Sequence, residues 1–282
     1  IADTDIITTD GAGVVPVDAG TGTVTLRQST NSKTIGLAVA SGNIQISEND
    51  LDDITAGTIA VGDANTGTLT IGGALTNDDA LSFTSGTGIA LNQNITTSSA
   101  SDAITFTGPV SLGANVTLGT NNGNVVFSGG TSTVNADTAG NNRTLTITAG
   151  TGTATFGAAV GASQALADLD VTAQNIGVSN NITVDAGTGG ATATLSGTLQ
   201  LSGNSVFDGD GTADNHLSFT AINEADASVS SLTLSVGTGN ITLGGTVDGG
   251  FGLTVNSTGT VDVNGVIAVS YTHLRAHETL LY

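Results

Sequence analysis

The chain has no cysteine, no methionine and no tryptophan, two prolines, and four basic residues among 282. Without cysteine there is no disulfide framework, no thiol nucleophile and no Cys-ligated zinc or iron–sulfur centre. Four Lys and Arg stand against 24 Asp and Glu, a formal charge of −20. Such a surface repels phosphate backbones and anionic lipid, which argues against nucleic acid as a partner. No apolar run is long enough to span a bilayer, so no membrane insertion is expected. The missing methionine and the opening "IADTDIITTD" lead us to expect an internal piece of a longer protein. The lack of a signal peptide then says nothing about export.

What is abundant is small. There are 41 glycines, the hydrophobic fraction is 38%, aromatics are 3% and mean hydropathy is +0.22. The apolar fraction is too high for simple disorder, and the scarcity of aromatics suggests a thin core made of many short elements.

One phrase recurs: a Gly/Thr turn, a short alternating run, then an apolar residue four places after another. It appears as "GTGTATFGAAV" (Gly150–Val160), "GTGNITLGGTV" (Gly237–Val247) and "GTGIALNQNI" (Gly86–Ile95), with looser copies elsewhere. Alternation puts Ala154 with Phe156, and Ile241 with Leu243, on one face of a strand. The β-branched Thr residues between them favour extended backbone. Small residues after Phe156 and Leu243 suit a sharp corner, and Val160 or Val247 begins the next strand. Strand, corner and strand without a 3.6-residue period predict an all-β fold, a β-solenoid. At about 20–25 residues per coil, roughly 11–13 coils would give a rod of about 50–60 Å.

A sandwich of hairpins is the competing architecture, and Asn122-Gly123 and Asp248-Gly249 are its turn signals. Two stretches read equally as a helical turn or as loop and strand. "SENDLDDITAG" (Ser47–Gly57) has an N-cap serine and early acidic residues, and "ASQALADLDV" (Ala162–Val171) has Leu166 and Leu169 at helical spacing.

"ISENDLDDITAGTIAVGDANTGTLTIGG" (Ile46–Gly73) and "NADTAGNNRTLTITAGTGTATFGAAVGASQALADLDVTA" (Asn135–Ala173) resemble repeats of the large filamentous-haemagglutinin-like exoproteins. The resemblance covers most of residues 20–268. It implies a right-handed parallel β-helix, export across a bacterial outer membrane, and a surface-bound or released adhesin touching host or environmental glycans or proteins. It also implies an outer-membrane export partner acting through regions absent here; no secretion domain of that family is recognisable in this sequence.

Residues with chemical potential are few. In "FDGDGTADNH" (Phe207–His216), Asp208, Asp210 and Asp214 are candidate oxygen ligands for Ca²⁺. The calcium-loop pattern is not met, because Thr212 and Ala213 occupy the third ligand and glycine positions. An acidic turn between coils is the favoured reading, and no metal or cofactor is expected. Arg27, Lys33, Arg143 and His216 are far apart in the sequence, and Asp52-Asp53 and Asp78-Asp79 are adjacent pairs whose members point opposite ways in a strand. No nucleophile–base arrangement emerges, so no catalytic residue is assigned. The expected function is a non-catalytic structural or adhesive segment. The alternatives are a fragment of a carbohydrate-active β-helix enzyme and a calcium-stabilised binding module.

Six glycosylation-type sequons begin at Asn94, Asn115, Asn142, Asn181, Asn240 and Asn256, as expected by chance in a chain rich in Asn and Thr. Thr-x-Thr runs raise an ice-binding face, but successive copies of the phrase are unequally spaced, which counts against it.

The end of the chain, "VSYTHLRAHETLLY" (Val269–Tyr282), breaks the pattern. Glycine and asparagine vanish, and Tyr, His and Arg appear together. His273 and His277 could ligate zinc on a helix but lack further ligands. "VSYTHLRAHET" resembles the translation of a transposase-type sequencing adapter. We therefore divide the chain into a repeat region, 1–268, and a non-native tail, 269–282, expected as helical or disordered and excluded from fold reasoning.

Overall fold

Alternation in the sequence becomes alternation in burial. In the strand Thr153–Phe156, Ala154 and Phe156 are buried and the threonines between them are not; Ile241 and Leu243 repeat this in Ile241–Leu243. The computed structural model describes residues 17–138, 140, 143–185, 190, 192–209 and 215–276, the last six by their backbone alone. Among these residues every strand pairing is parallel. The strands stack as a β-solenoid. A sandwich of hairpins is thereby excluded for the described chain. Asp248 and Gly249 lie inside the strand Val247–Ser257, and Asn122 follows the strand Val116–Asn121 with φ at 64°.

Each turn visits three faces, as in Ala80–Ser85, Ile89–Leu91 and Ile95–Ala100. On the first face one inner column runs through Val24, Ile59, Leu81, Ile104, Val125, Ala154, Ile176, Leu199, Ile222, Val247 and Ile267. On the second face Ile35, Leu69, Ile89, Val110, Val134, Val160, Ile182, Phe207, Leu234 and Val255 stack likewise. The third holds Leu75, Ile95, Leu118, Ile147, Val171, Leu195, Phe219, Leu243 and Val263. Apart from the half-buried Val24 and Ile267 and the exposed Val263 at their ends, these columns are the core. Each turn covers the apolar side chains of the one beside it, which no single turn could bury alone.

All seven phenylalanines are buried. Phe83, Phe106, Phe127 and Phe156 stack on successive turns, with ring centroids 5.5, 5.1 and 5.4 Å apart. That separation is little more than the strand spacing of about 4.8 Å, so the backbone ladder itself sets up offset stacking.

Eleven strand positions stack on the first face among the described residues, and the turns between them are unequal in length. From Val24 to Ile59 the chain spends 35 residues on one turn, against 20 from Val247 to Ile267. The long first turn carries an extra strand, Ile44–Ile46, paired with Ile35–Leu37, and then a helix, Glu48–Asp52. Ser47 caps that helix. Its Oγ accepts the Asp50 N–H at 3.2 Å, and the Asp50 carboxylate accepts the Ser47 N–H at 2.8 Å. Leu51 is turned into the core. The other candidate helical turn is not one: Leu166 makes an isolated parallel bridge to Val184, and Leu169 lies in the strand Asp168–Val178.

The tail also departs from expectation. Ile267–Ala276 is a strand paired in parallel with Val247–Ser257, so the backbone of 269–276 is extended and not helical. It adopts this form because the preceding turn offers a free strand edge, which accepts almost any backbone.

Candidate functional site

At the corners the chain bends out of its ladder, and the N–H groups there need other acceptors. Asparagine supplies them. Entering the third face, Asn94 Oδ1 accepts the N–H of Thr117 at 2.8 Å, Asn115 that of Thr144 at 3.1 Å, and Asn240 that of Thr260 at 2.9 Å. Entering the first face, Asn124 accepts from Thr153 at 2.8 Å. Entering the second, Asn181 accepts from Val206 at 2.9 Å, and Asn204 from Ser230 and Ser231 at 2.8 and 3.1 Å. Each bond ties a corner to the turn stacked on it. Four of the six sequon asparagines, Asn94, Asn115, Asn181 and Asn240, are such rungs. Asn142 lies outside the described residues, and Asn256 sits within the strand Val247–Ser257. The sequons therefore follow from corner chemistry: an Asn rung followed by an inward apolar residue and an outward Thr.

Two rungs are ionisable. His216 Nδ1 accepts the N–H of Asn240 at 2.9 Å. Asp168 occupies the same column, between Thr144 and Thr192. Burial pushes its carboxyl above the usual range. Hydrogen bonds from Thr192 and the Leu169 N–H oppose that shift, and nearby Asp170 adds to it. Its Oδ1 is buried without a hydrogen-bond partner.

The sequence-derived candidates do not assemble. Asp208 is half-buried and faces outwards on the second face, in register with Thr183 and Ser235. Asp210 and Asp214 lie outside the described residues. Among the described residues no three His, Asp or Glu side chains come together as a metal site. Arg27 reaches Asp63 at 3.3 Å, and Arg143 grips Asp137 through Nε at 2.9 Å and Nη2 at 3.1 Å. His216 is committed to its rung. His273 has only its backbone described, and His277 and Glu278 lie outside the described residues.

One acidic grouping was not legible as such. Asp79 is buried, and its Oδ2 accepts the Ala56 N–H at 2.9 Å. Burial raises its carboxyl, and Asp78 and Asp102 add to the shift. Burial and Asp78 raise that of Asp102 likewise. Asp78-Asp79 reads as a solvated turn in sequence; Asp102, one turn further on, arrives only through stacking.

Comparison with protein-family models, with curated proteins and with solved structures gives no match for this chain.

Proposed function

We propose that this chain is a non-catalytic, structural and adhesive segment of an exported bacterial surface protein: a rod that holds more distant binding regions away from the cell. Its side loops would touch glycans or proteins of the host or environment. The observation that supports this most directly is the unbroken inner column from Val24 to Ile267, reinforced at the corners by asparagine rungs. Such an arrangement is stiff along one axis and spends its polar side chains on cohesion. Arg27, Arg143 and His216 are each engaged in a contact with a neighbouring segment, which favours the same reading over hydrolysis.

The test is a binding and turnover screen of the purified chain against soluble polysaccharides and extracellular-matrix proteins. Weak binding, with no release of reducing ends, is expected. Catalytic release of reducing sugar would overturn the reading in favour of a carbohydrate-active enzyme.

A further inference from the structure

Five of the six sequons begin in described residues, and their surroundings sort them into two kinds. Asn94, Asn115, Asn181 and Asn240 each sit in a corner, one residue before the strands Ile95–Ala100, Val116–Asn121, Ile182–Thr183 and Ile241–Leu243. All four are exposed. In each, Oδ1 accepts a backbone N–H of the next turn, which fixes the direction the amide faces. Oδ1 is committed to the stacked turn, and Nδ2 makes no hydrogen bond to a described residue. The threonines two residues on are Thr96, Thr117, Thr183 and Thr242. They share the outward face with their asparagines, because side chains two apart in extended chain point the same way. Their hydroxyls are also without a hydrogen bond among the described residues.

The fifth sequon is closed. Asn256 is half-buried within the strand Val247–Ser257, and the Thr258 hydroxyl donates to the Gly237 carbonyl at 2.7 Å. Two other exposed rungs lack the second hydroxyl altogether: Asn124 is followed two residues later by Val126, and Asn204 by Val206.

We propose that Asn94, Asn115, Asn181 and Asn240 are attachment sites for an N-linked sugar, added to the folded chain by a glycosyltransferase from a glycosyl diphosphate donor. Nδ2 attacks the anomeric carbon. The bond from that carbon to the diphosphate oxygen breaks and leaves its electron pair on the oxygen, and Nδ2 gives up one proton to a base of the enzyme. The product amide keeps its carbonyl oxygen, so Oδ1 still accepts the N–H of the next turn. A rung can thus be modified without unlocking its corner. Asn94, Asn115 and Asn240 all stand at the entry to the third face, so three of the four sugars line one edge of the rod.

Transfer in vitro, read by mass spectrometry with site mapping, tests this. In one arm the folded chain meets UDP-glucose and a soluble asparagine-linking glycosyltransferase. In the other it meets a lipid-diphosphate oligosaccharide and a membrane oligosaccharyltransferase. Each enzyme is chosen for activity on peptides spanning the five sequons, and those peptides are the unfolded reference. The four corner asparagines should accept sugar within about threefold of their peptides' rates, and Asn256 at least tenfold more slowly than its peptide. The arm that gives transfer identifies the donor, and transfer in either supports the proposal. Thr96→Val should abolish modification at Asn94 alone and leave the circular dichroism unchanged. Hydrogen exchange at the amides of Thr117, Thr144, Val206 and Thr260 should be equally slow with and without the sugar. A folded chain that takes no sugar at the four corners in either arm would overturn the proposal. So would faster exchange at those amides after modification, or an Asn256 modified as fast as the corners.

Discussion

Phe106 and Phe127, one turn apart, stack with centroids 5.1 Å apart and ring planes 11° from parallel. Neither is exposed to solvent. They sit at the middle of a four-ring stack, so truncation of either leaves a gap with phenylalanine on both sides. Phe106→Ala or Phe127→Ala should cost about 3–5 kcal/mol, the usual range for an emptied aromatic site. Urea denaturation reads this directly, and Phe127→Leu should lose clearly less.

The corner rungs are exposed and individually weaker. Replacing Asn115 or Asn240 with alanine removes one side-chain acceptor for a backbone N–H, which corresponds to about 0.5–1.5 kcal/mol each. Hydrogen exchange at the amides of Thr144 and Thr260 should speed up in the matching variant and stay unchanged in the other. Equal loss of protection at both amides would mean that the rungs act through global stability.

Asp168 stands between Thr144 and Thr192, in the column whose other rungs are Asn115, His216 and Asn240. Its carboxyl is raised in the fold, chiefly by burial, so the folded chain holds that proton more tightly than the unfolded chain. The ionised form thus destabilises the fold at neutral pH, and the penalty fades as pH falls through the folded value towards the unfolded one. Asp168→Asn keeps an acceptor for Thr192 without the charge. It should raise the urea midpoint at pH 7, and the gain should shrink in acid. A constant gain across pH would disprove the electrostatic cause.

Gly108 has φ at +120°, and a Cβ there would run into the carbonyl oxygen of Ser85 on the neighbouring turn. Gly119 has ordinary φ and its nearest Cβ neighbour is 3.7 Å away. Gly108→Ala should lower the melting temperature by several degrees, whereas Gly119→Ala should leave it within a degree or so.

Adding millimolar Ca²⁺ should leave the melting temperature unchanged, as should a chelator. A calcium-dependent rise, abolished by Asp208→Asn, would revive the acidic turn around Asp208 as a metal site.

Local features were readable in the sequence, and inter-turn relationships were not. The inward pairs Ala154/Phe156 and Ile241/Leu243, the corners before Val160 and Val247, and the Ser47 cap all follow from neighbouring residues. Asn122-Gly123 misleads as a hairpin signal because a left-handed residue serves a solenoid corner as well as a hairpin turn. The Asn94–Thr117 rung and the approach of Asp102 to Asp78 need the register between turns. That register is hidden because turns differ in length by up to sixteen residues, from 19 to 35. The Thr-x-Thr runs illustrate the same point. Their uneven spacing in sequence counts against a regular array, yet Thr117, Thr146, Asp170, Thr194, Ser218, Thr242 and Asp262 stand in one outward column.

The unequal turns also carry an evolutionary consequence. Position along this rod is counted by hydrogen-bonded layers, and chain length between layers is absorbed where the path bends. A loop can lengthen without disturbing the layers on either side. Excision of one whole layer would shorten the rod by about 4.8 Å and rejoin like surfaces. A gene for such a protein can grow, shrink and diversify in small increments while each intermediate still folds.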